Sequence, residues 1–173
     1  MGSNVATAEE PVFTWRDVCE RAARGQFDGF HVDTDEWGRI LMTPVTFMHG
    51  ALAYRVARLI DDATPDGIVV CEVGVRTRRG VKAPDVMWSS PERVAERTDE
   101  YDDERAGEIC VEVLSTSNHP REIEEKRRLY FEQGAREVWV CAVDGAMTFW
   151  VGPDESSAAS SMVPAFPKTI AVG

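Results

Sequence analysis

The sequence predicts a mixed α/β fold of the α+β type, with a mixed β-sheet core and flanking helices. Three observations point there. The apolar runs Glu108–Ser115 (EICVEVLS) and Glu137–Val143 (EVWVCAV) are joined by a helical stretch from Pro120 to about Gln133. Such a strand–helix–strand unit makes its two strands parallel and covers both faces. Asp144-Gly145 then forms a tight turn into Ala146–Val151, an antiparallel return. Near the start, Phe30–Thr34 and Arg39–Thr43 flank Asp35-Glu36-Trp37-Gly38 as a hairpin.

The remaining elements follow in order. Thr14 caps a helix that runs to Arg24, with Trp15, Val18, Cys19 and Ala22 at helical spacing, and Gly25 ends it. A second helix starts near Thr46 and runs to about Asp62, with Leu52, Ala53, Val56, Leu59 and Ile60 on its apolar side. Gly67–Thr77 and Val81–Trp88 read as two strands around Arg78-Arg79-Gly80. Ser89–Gly107 is polar and charged, a loop or a short, poorly packed helix. Pro120 suits a first helical turn. Gly152–Ser161 reads as a Ser/Ala-rich loop before a terminal strand, Thr169–Val172. Residues 1–12 are expected to be a disordered N-terminus, and 13–173 a single domain.

The 173 residues suit one domain. No apolar run approaches the ~20 residues of a membrane span. The opening residues lack the basic start and apolar stretch of a signal peptide, so a cytoplasmic location is expected. Cys19, Cys71, Cys110 and Cys141 form no C-x-x-C pair. Three of them lie in strand-like runs and read as buried small hydrophobes rather than zinc ligands. The net charge of −11 opposes non-specific binding to nucleic acid, which depends on cations contacting phosphates. Distribution matters more than the sum, and Arg76, Arg78, Arg79 and Lys82 are a locally basic set.

Three residues suggest chemistry. Glu112 sits in a run whose two parities are both apolar, so it is expected to pair with a cation or hold a metal, unless its strand is an edge facing water. Asp85 is likewise surrounded by Val81, Ala83, Val86, Met87 and Trp88. Pro84 before it signals an edge or bulge that re-aims the next side chain, or a plain turn aspartate. The third is Lys126. On a wheel of about 100° per residue with Ile123 at the origin, Tyr130 falls near ~340°, Lys126 near ~300° and Leu129 near ~240°. Lys126 therefore lies in the sheet-facing stripe, either paired with an acid such as Glu112 or snorkelling at the rim. Two acids and a lysine at a sheet suit phosphodiester hydrolysis with Mg²⁺ (or Mn²⁺), a cation taking oxygen ligands.

The order of motifs carries a family resemblance. APDVMW (Ala83–Trp88), CVEVLSTSN (Cys110–Asn118) and the spacing of Lys126, Tyr130, Gly134, Glu137 and Trp139 resemble the Uma-type putative restriction endonucleases of bacteria, in the PD-(D/E)XK nuclease superfamily. Met42-x-Pro44, His49, Ser161 and Phe166-Pro167 extend the likeness over nearly the whole chain from Phe13. The resemblance implies a restriction-endonuclease-like fold with Asp85 and Glu112 as catalytic metal ligands and the Val113 carbonyl as a third oxygen donor. The position two after Glu112 is Leu114, not lysine, which departs from the superfamily pattern. In the Uma-type group the lysine has moved to the next helix, at Lys126. Glu122 matches an acidic helper position, and His49 a family position of unassigned role. Glu72 is a further acid that could reach the metal. The expectation is a Mg-dependent endonuclease acting on DNA, with Arg76, Arg78, Arg79 and Lys82 either gripping phosphates or forming a solvated hairpin tip, and with two protomers (a homodimer) or two encounters needed to cut both strands. The alternatives are an inactive binding or regulatory protein of that fold, or a metal-dependent hydrolase of smaller phosphate esters.

Overall fold

The computed structural model describes residues 13–97, 101–116 and 118–171; the expected disordered segment 1–12 lies outside them. Helix α1 (Trp15–Ala22) begins at a reciprocal cap in which the Thr14 hydroxyl accepts from the Asp17 N–H and the Asp17 carboxylate accepts from the Thr14 N–H. The hairpin forms as expected from β1 (Phe30–Thr34) and β2 (Ile40–Pro44), its turn held by the Asp35 carboxylate, which accepts from the N–H groups of Trp37 and Arg39. Thr46 caps α2 (Phe47–Ala63).

The next stretch corrects the expectation of two long strands. Gly67–Thr77 divides into β3 (Ile68–Val70) and β4 (Gly74–Thr77). Val81–Trp88 divides into β5 (Gly80–Lys82) and β6 (Val86–Ser89). β3 pairs with β6, whereas β4 pairs with β5. The breaks lie side by side: Glu72 has a φ of +57° and donates its N–H to the carbonyl of Pro84. Proline has no N–H to continue a ladder, and a positive φ turns the chain out of extended geometry. Apolar patterning runs through both breaks because each flank still faces a core. Cys71 falls in the first break and is exposed, contrary to expectation, while Cys110 and Cys141 are buried.

Among its described residues, the polar segment that follows holds α3 (Pro91–Ala95), without a buried residue, and the two-residue β7 (Asp102–Asp103). Then β8 (Ile109–Val113), α4 (Pro120–Glu132) and β9 (Glu137–Cys141) form the expected unit with parallel strands. β10 (Met147–Gly152) returns antiparallel. The expected Ser/Ala loop contains a short strand, β11 (Glu155–Ser157), paired to β10. The expected terminal strand is reduced to one bridge between Thr169 and Ala146, since Pro167 offers no N–H to lengthen it; Val172 lies outside the described residues.

The main sheet has the order β11-β10-β9-β8-β6-β3, and a small sheet has β5-β4-β7. One face of the main sheet packs α2 through Leu52, Val56 and Ile60 against Val86, Ile109, Val111 and Trp139. On the opposite face Tyr130 of α4 packs with Met87, Cys110 and Val138. The third cluster packs Trp15 and Val18 of α1 on Val81 and Ala83. β1 docks beside β5: the Val81 N–H donates to the Thr34 hydroxyl and the Ala83 N–H to Asp33.

Candidate active site

Strand register brings the two acids together. β6 and β8 pair Val86 with Val111, so one step along Asp85 stands opposite Glu112 on the same face. Parity puts that face against α4, because Cys110 packs with Tyr130 while Val111 packs toward α2. Lys126 and Tyr130, one helical turn apart, both reach Glu112. The Lys126 ammonium donates to Oε2 at 3.1 Å and the Tyr130 hydroxyl to Oε1 at 2.6 Å. The Val113 N–H donates to Asp85 Oδ2 at 2.6 Å. All three of Asp85, Glu112 and Lys126 are buried, at the floor of a cleft also lined by His49, Val113 and Glu122.

Two further residues come from β1. Asp33 Oδ2 lies 2.9 Å from the Lys126 ammonium, and its Oδ1 accepts from the Ala83 N–H at 2.8 Å. His31 Nε2 lies 3.4 Å from Asp33 Oδ1, while its Nδ1 is 2.7 Å from Glu72 Oε2 and 3.6 Å from Asp85 Oδ1. His49 Nε2 approaches the same Asp85 oxygen at 3.2 Å. Lys126 is thus held between two carboxylates, and Asp85 between two imidazoles. Sequence reasoning missed His31, Asp33 and the role of the Tyr130 hydroxyl. The available signal was the alternation in Phe-His-Val-Asp-Thr, which puts His31 and Asp33 on one strand face; in a hairpin that face reads as solvent-exposed.

The family described as putative restriction endonuclease, Uma2, matches residues 36–169. The chain belongs to this family. No curated protein matches it. Among solved structures it resembles a putative nuclease of the DUF820 group from Anabaena variabilis, with 14% identity, a TM-score of 0.63 and coverage of 73% of this chain and 74% of that one. At that identity the likeness bears on the fold, which is nuclease-like. The Uma2 match contains every expected site residue, but begins after β1, so His31 and Asp33 lie outside it.

Electrostatics sets the acids of this Uma2 site apart. Burial works against charge on Asp85, but the His49 hydrogen bond and the nearby His31 outweigh it and hold the carboxyl below its ordinary value. Burial pushes Glu112 the other way, up to about 7, against the pull of Lys126 and with the Asp85 charge adding to the rise. For His31, burial disfavours the imidazolium, yet the carboxylates of Asp33 and Glu72 prevail and raise it to about 11. Lys126 also overcomes burial through Asp33 and Glu112 and stays charged. Asp33 is held low, burial being outweighed by Lys126 and His31. The Asp85 hydrogen bond raises His49. Two carboxyl groups with opposed shifts are a feature of sites that move protons or bind cations.

The outer residues divide. Glu122 is exposed at the cleft, and Glu72 is exposed but turned toward His31. Arg78 pairs with Glu132, Arg79 with Glu36 and Glu125, and Arg76 with Glu104. Lys82 departs from the expectation that it stands with them as a phosphate contact. It is buried, and its ammonium donates to the Thr34 carbonyl at 2.6 Å. Strand alternation decides this: Val81 packs on α1, so the next residue, Lys82, turns to the other side, where the Thr34 carbonyl meets its ammonium.

Proposed function

We propose that this protein is a Mg²⁺-dependent (or Mn²⁺-dependent) endonuclease hydrolysing DNA phosphodiester bonds, with Asp85, Glu112 and Lys126 as its catalytic residues. The observation that carries the reading is the Lys126 ammonium fixed between Glu112 and Asp33 at the floor of a cleft that also holds Asp85. The donor set fits a hard divalent cation, which takes carboxylate and carbonyl oxygens. Asp85, Glu112 and the Val113 carbonyl would hold it. When bound, the cation neutralises negative charge at phosphorus and acidifies water. Lys126 is charged and donates hydrogen bonds, so its part is to orient water or stabilise developing negative charge, not to accept a proton. Tyr130 and Lys126 together fix the Glu112 carboxylate in one orientation, and His49 and the Val113 N–H do the same for Asp85.

Exposed Arg76 and Arg78 and half-buried Arg79 would supply phosphate contacts by exchanging their carboxylate partners for DNA. Cutting both strands would take two protomers or two encounters. The charge of −11 favours one second reading, hydrolysis of a smaller phosphate ester, for which an acidic surface matters less. The deciding experiment incubates supercoiled plasmid and, separately, mononucleotides with Mg²⁺ and wild type or Asp85→Ala. Asp85-dependent nicking supports the endonuclease. Turnover of nucleotides alone supports the second reading, and inactivity on both, with intact metal binding, would mark a binding protein.

A further inference from the structure

The orphaned nitrogen of a buried histidine marks a place that the family's expected ligands leave unused. His31 is 8% exposed, and its Nδ1 is buried without a hydrogen bond. Glu72 Oε2 is 2.7 Å away but off the line a ring N–H would take, and Asp85 Oδ1 is at 3.6 Å. One ligand atom each from His31, Glu72 and Asp85 falls within 4.8 Å of the others. They come from three different segments: β1, the break between β3 and β4, and the step before β6.

We propose that His31 Nδ1, Glu72 and Asp85 form a second cation position, adjoining the one assigned to Asp85 and Glu112, that takes a divalent transition-metal ion such as Mn²⁺ in preference to Mg²⁺. Metal-binding histidines commonly give their second nitrogen to a carboxylate, which fixes the tautomer and aims the lone pair at the ion. Here Nε2 lies 3.4 Å from Asp33 Oδ1 and 3.4 Å from the Lys126 ammonium, and Asp33 is itself anchored by the Ala83 N–H and Lys126. That leaves Nδ1 directed at the two acids. Imidazole nitrogen suits manganese and its neighbours, whereas Mg²⁺ keeps to oxygen and gives up its water reluctantly. The Glu72 side chain is 48% exposed, so the position opens to solvent at Glu72. His31 lies in β1, which precedes the segment matched by the family.

The proposal rests on the endonuclease reading only in sharing Asp85, and binding measurements separate the two. Wild type, His31→Ala, His31→Gln and Glu112→Gln are titrated with Mn²⁺ and with Mg²⁺ by calorimetry. Free Mn²⁺ is counted by electron paramagnetic resonance, and folding is checked by circular dichroism. Wild type is expected to bind two Mn²⁺. Both His31 variants should lose one, or bind it at least about tenfold more weakly, with Mg²⁺ affinity little changed. Glu112→Gln should retain the His31-dependent Mn²⁺. An unchanged Mn²⁺ isotherm in a folded His31 variant would overturn the proposal, as would equal losses for Mn²⁺ and Mg²⁺. Absence of plasmid cleavage alongside two Mn²⁺ per chain would count against the endonuclease and leave this position standing.

Discussion

Lys126 is a buried ammonium with carboxylates at 2.9 and 3.1 Å, and it couples the catalytic reading to stability. Lys126→Met keeps most of the side-chain volume. It should abolish cleavage while leaving Mg²⁺ binding measurable by calorimetry, because lysine is not a metal ligand. In metal-free protein the variant should lose about 3 kcal/mol in chemical denaturation, since Asp33 and Glu112 lose their buried countercharge. Full activity in Lys126→Met would sink the catalytic assignment. His31 makes a pH-dependent contribution. Its pKa is raised from 6.5 to about 11 in the native state, so between those values the native protein binds more protons than the unfolded chain. Its stabilisation is therefore complete below pH 6.5 and lost as pH rises through 11. The unfolding free energy of wild type relative to His31→Gln should shrink over that window, and a pH-independent difference would contradict it. For Glu112, raised to about 7, a proton competes with the cation below that value. Mg²⁺ affinity should be weaker at pH 6 than at pH 8, and Glu112→Gln should abolish most of the difference.

Among the elements, β1 matters most, because it brings His31 and Asp33 to the main-sheet acids through its docking on β5. Gly80 begins β5 at a φ of +88°, and a Cβ there would lie 2.3 Å from the Asp35 carbonyl oxygen and 2.5 Å from that of Thr34. Both atoms are backbone, so relief requires β1 to move. Gly80→Ala should cost about 2 kcal/mol or more from conformational strain and overlap together. Thermal unfolding reads that loss, and weaker Mn²⁺ binding would report the displacement of His31. Glu137 performs a comparable service at the other end of the sheet. Its buried carboxylate accepts from the hydroxyls of Ser160 and Ser161, the N–H groups of Ser161 and Met162, and the Trp139 indole. This ties the segment after β11 to the first residue of β9 and explains an acid inside an apolar strand without any catalytic role.

For the whole molecule, charge is the controlling quantity. No described helix is long and apolar enough to cross a membrane. A net −11 repels a polyanion, so DNA binding has to come from local cations. Arg76, Arg78 and Arg79 are paired with carboxylates, whereas Lys82 is committed to Thr34. Replacing the three arginines with alanine should reduce the slope of log affinity against log salt by up to about 3 units, each phosphate contact releasing about 0.9 counterion. Lys82→Ala should leave the slope as it is and lower stability instead. A slope unaffected by the triple replacement would show that these arginines serve only their carboxylate partners.

Local pattern was enough for much of this architecture. The βαβ unit, the hairpin, both long helices and the position of Lys126 on its wheel were legible because 3.6-residue and two-residue periodicities are set by neighbours along the chain. Asp85 and Glu112 stood out because charge inside an apolar run demands a partner. What local pattern left undecided is where a strand changes sheets, since apolar residues continue through the breaks at Glu72 and Pro84. The pairing of β1 with the site was equally hidden. His31 and Asp33 look like the wet face of a hairpin until β5 and α4 cover them, and Lys82 looks like a phosphate contact until Thr34 takes its ammonium. Burial of a polar side chain depends on partners distant in sequence, and those partners are chosen by the packing of the whole chain.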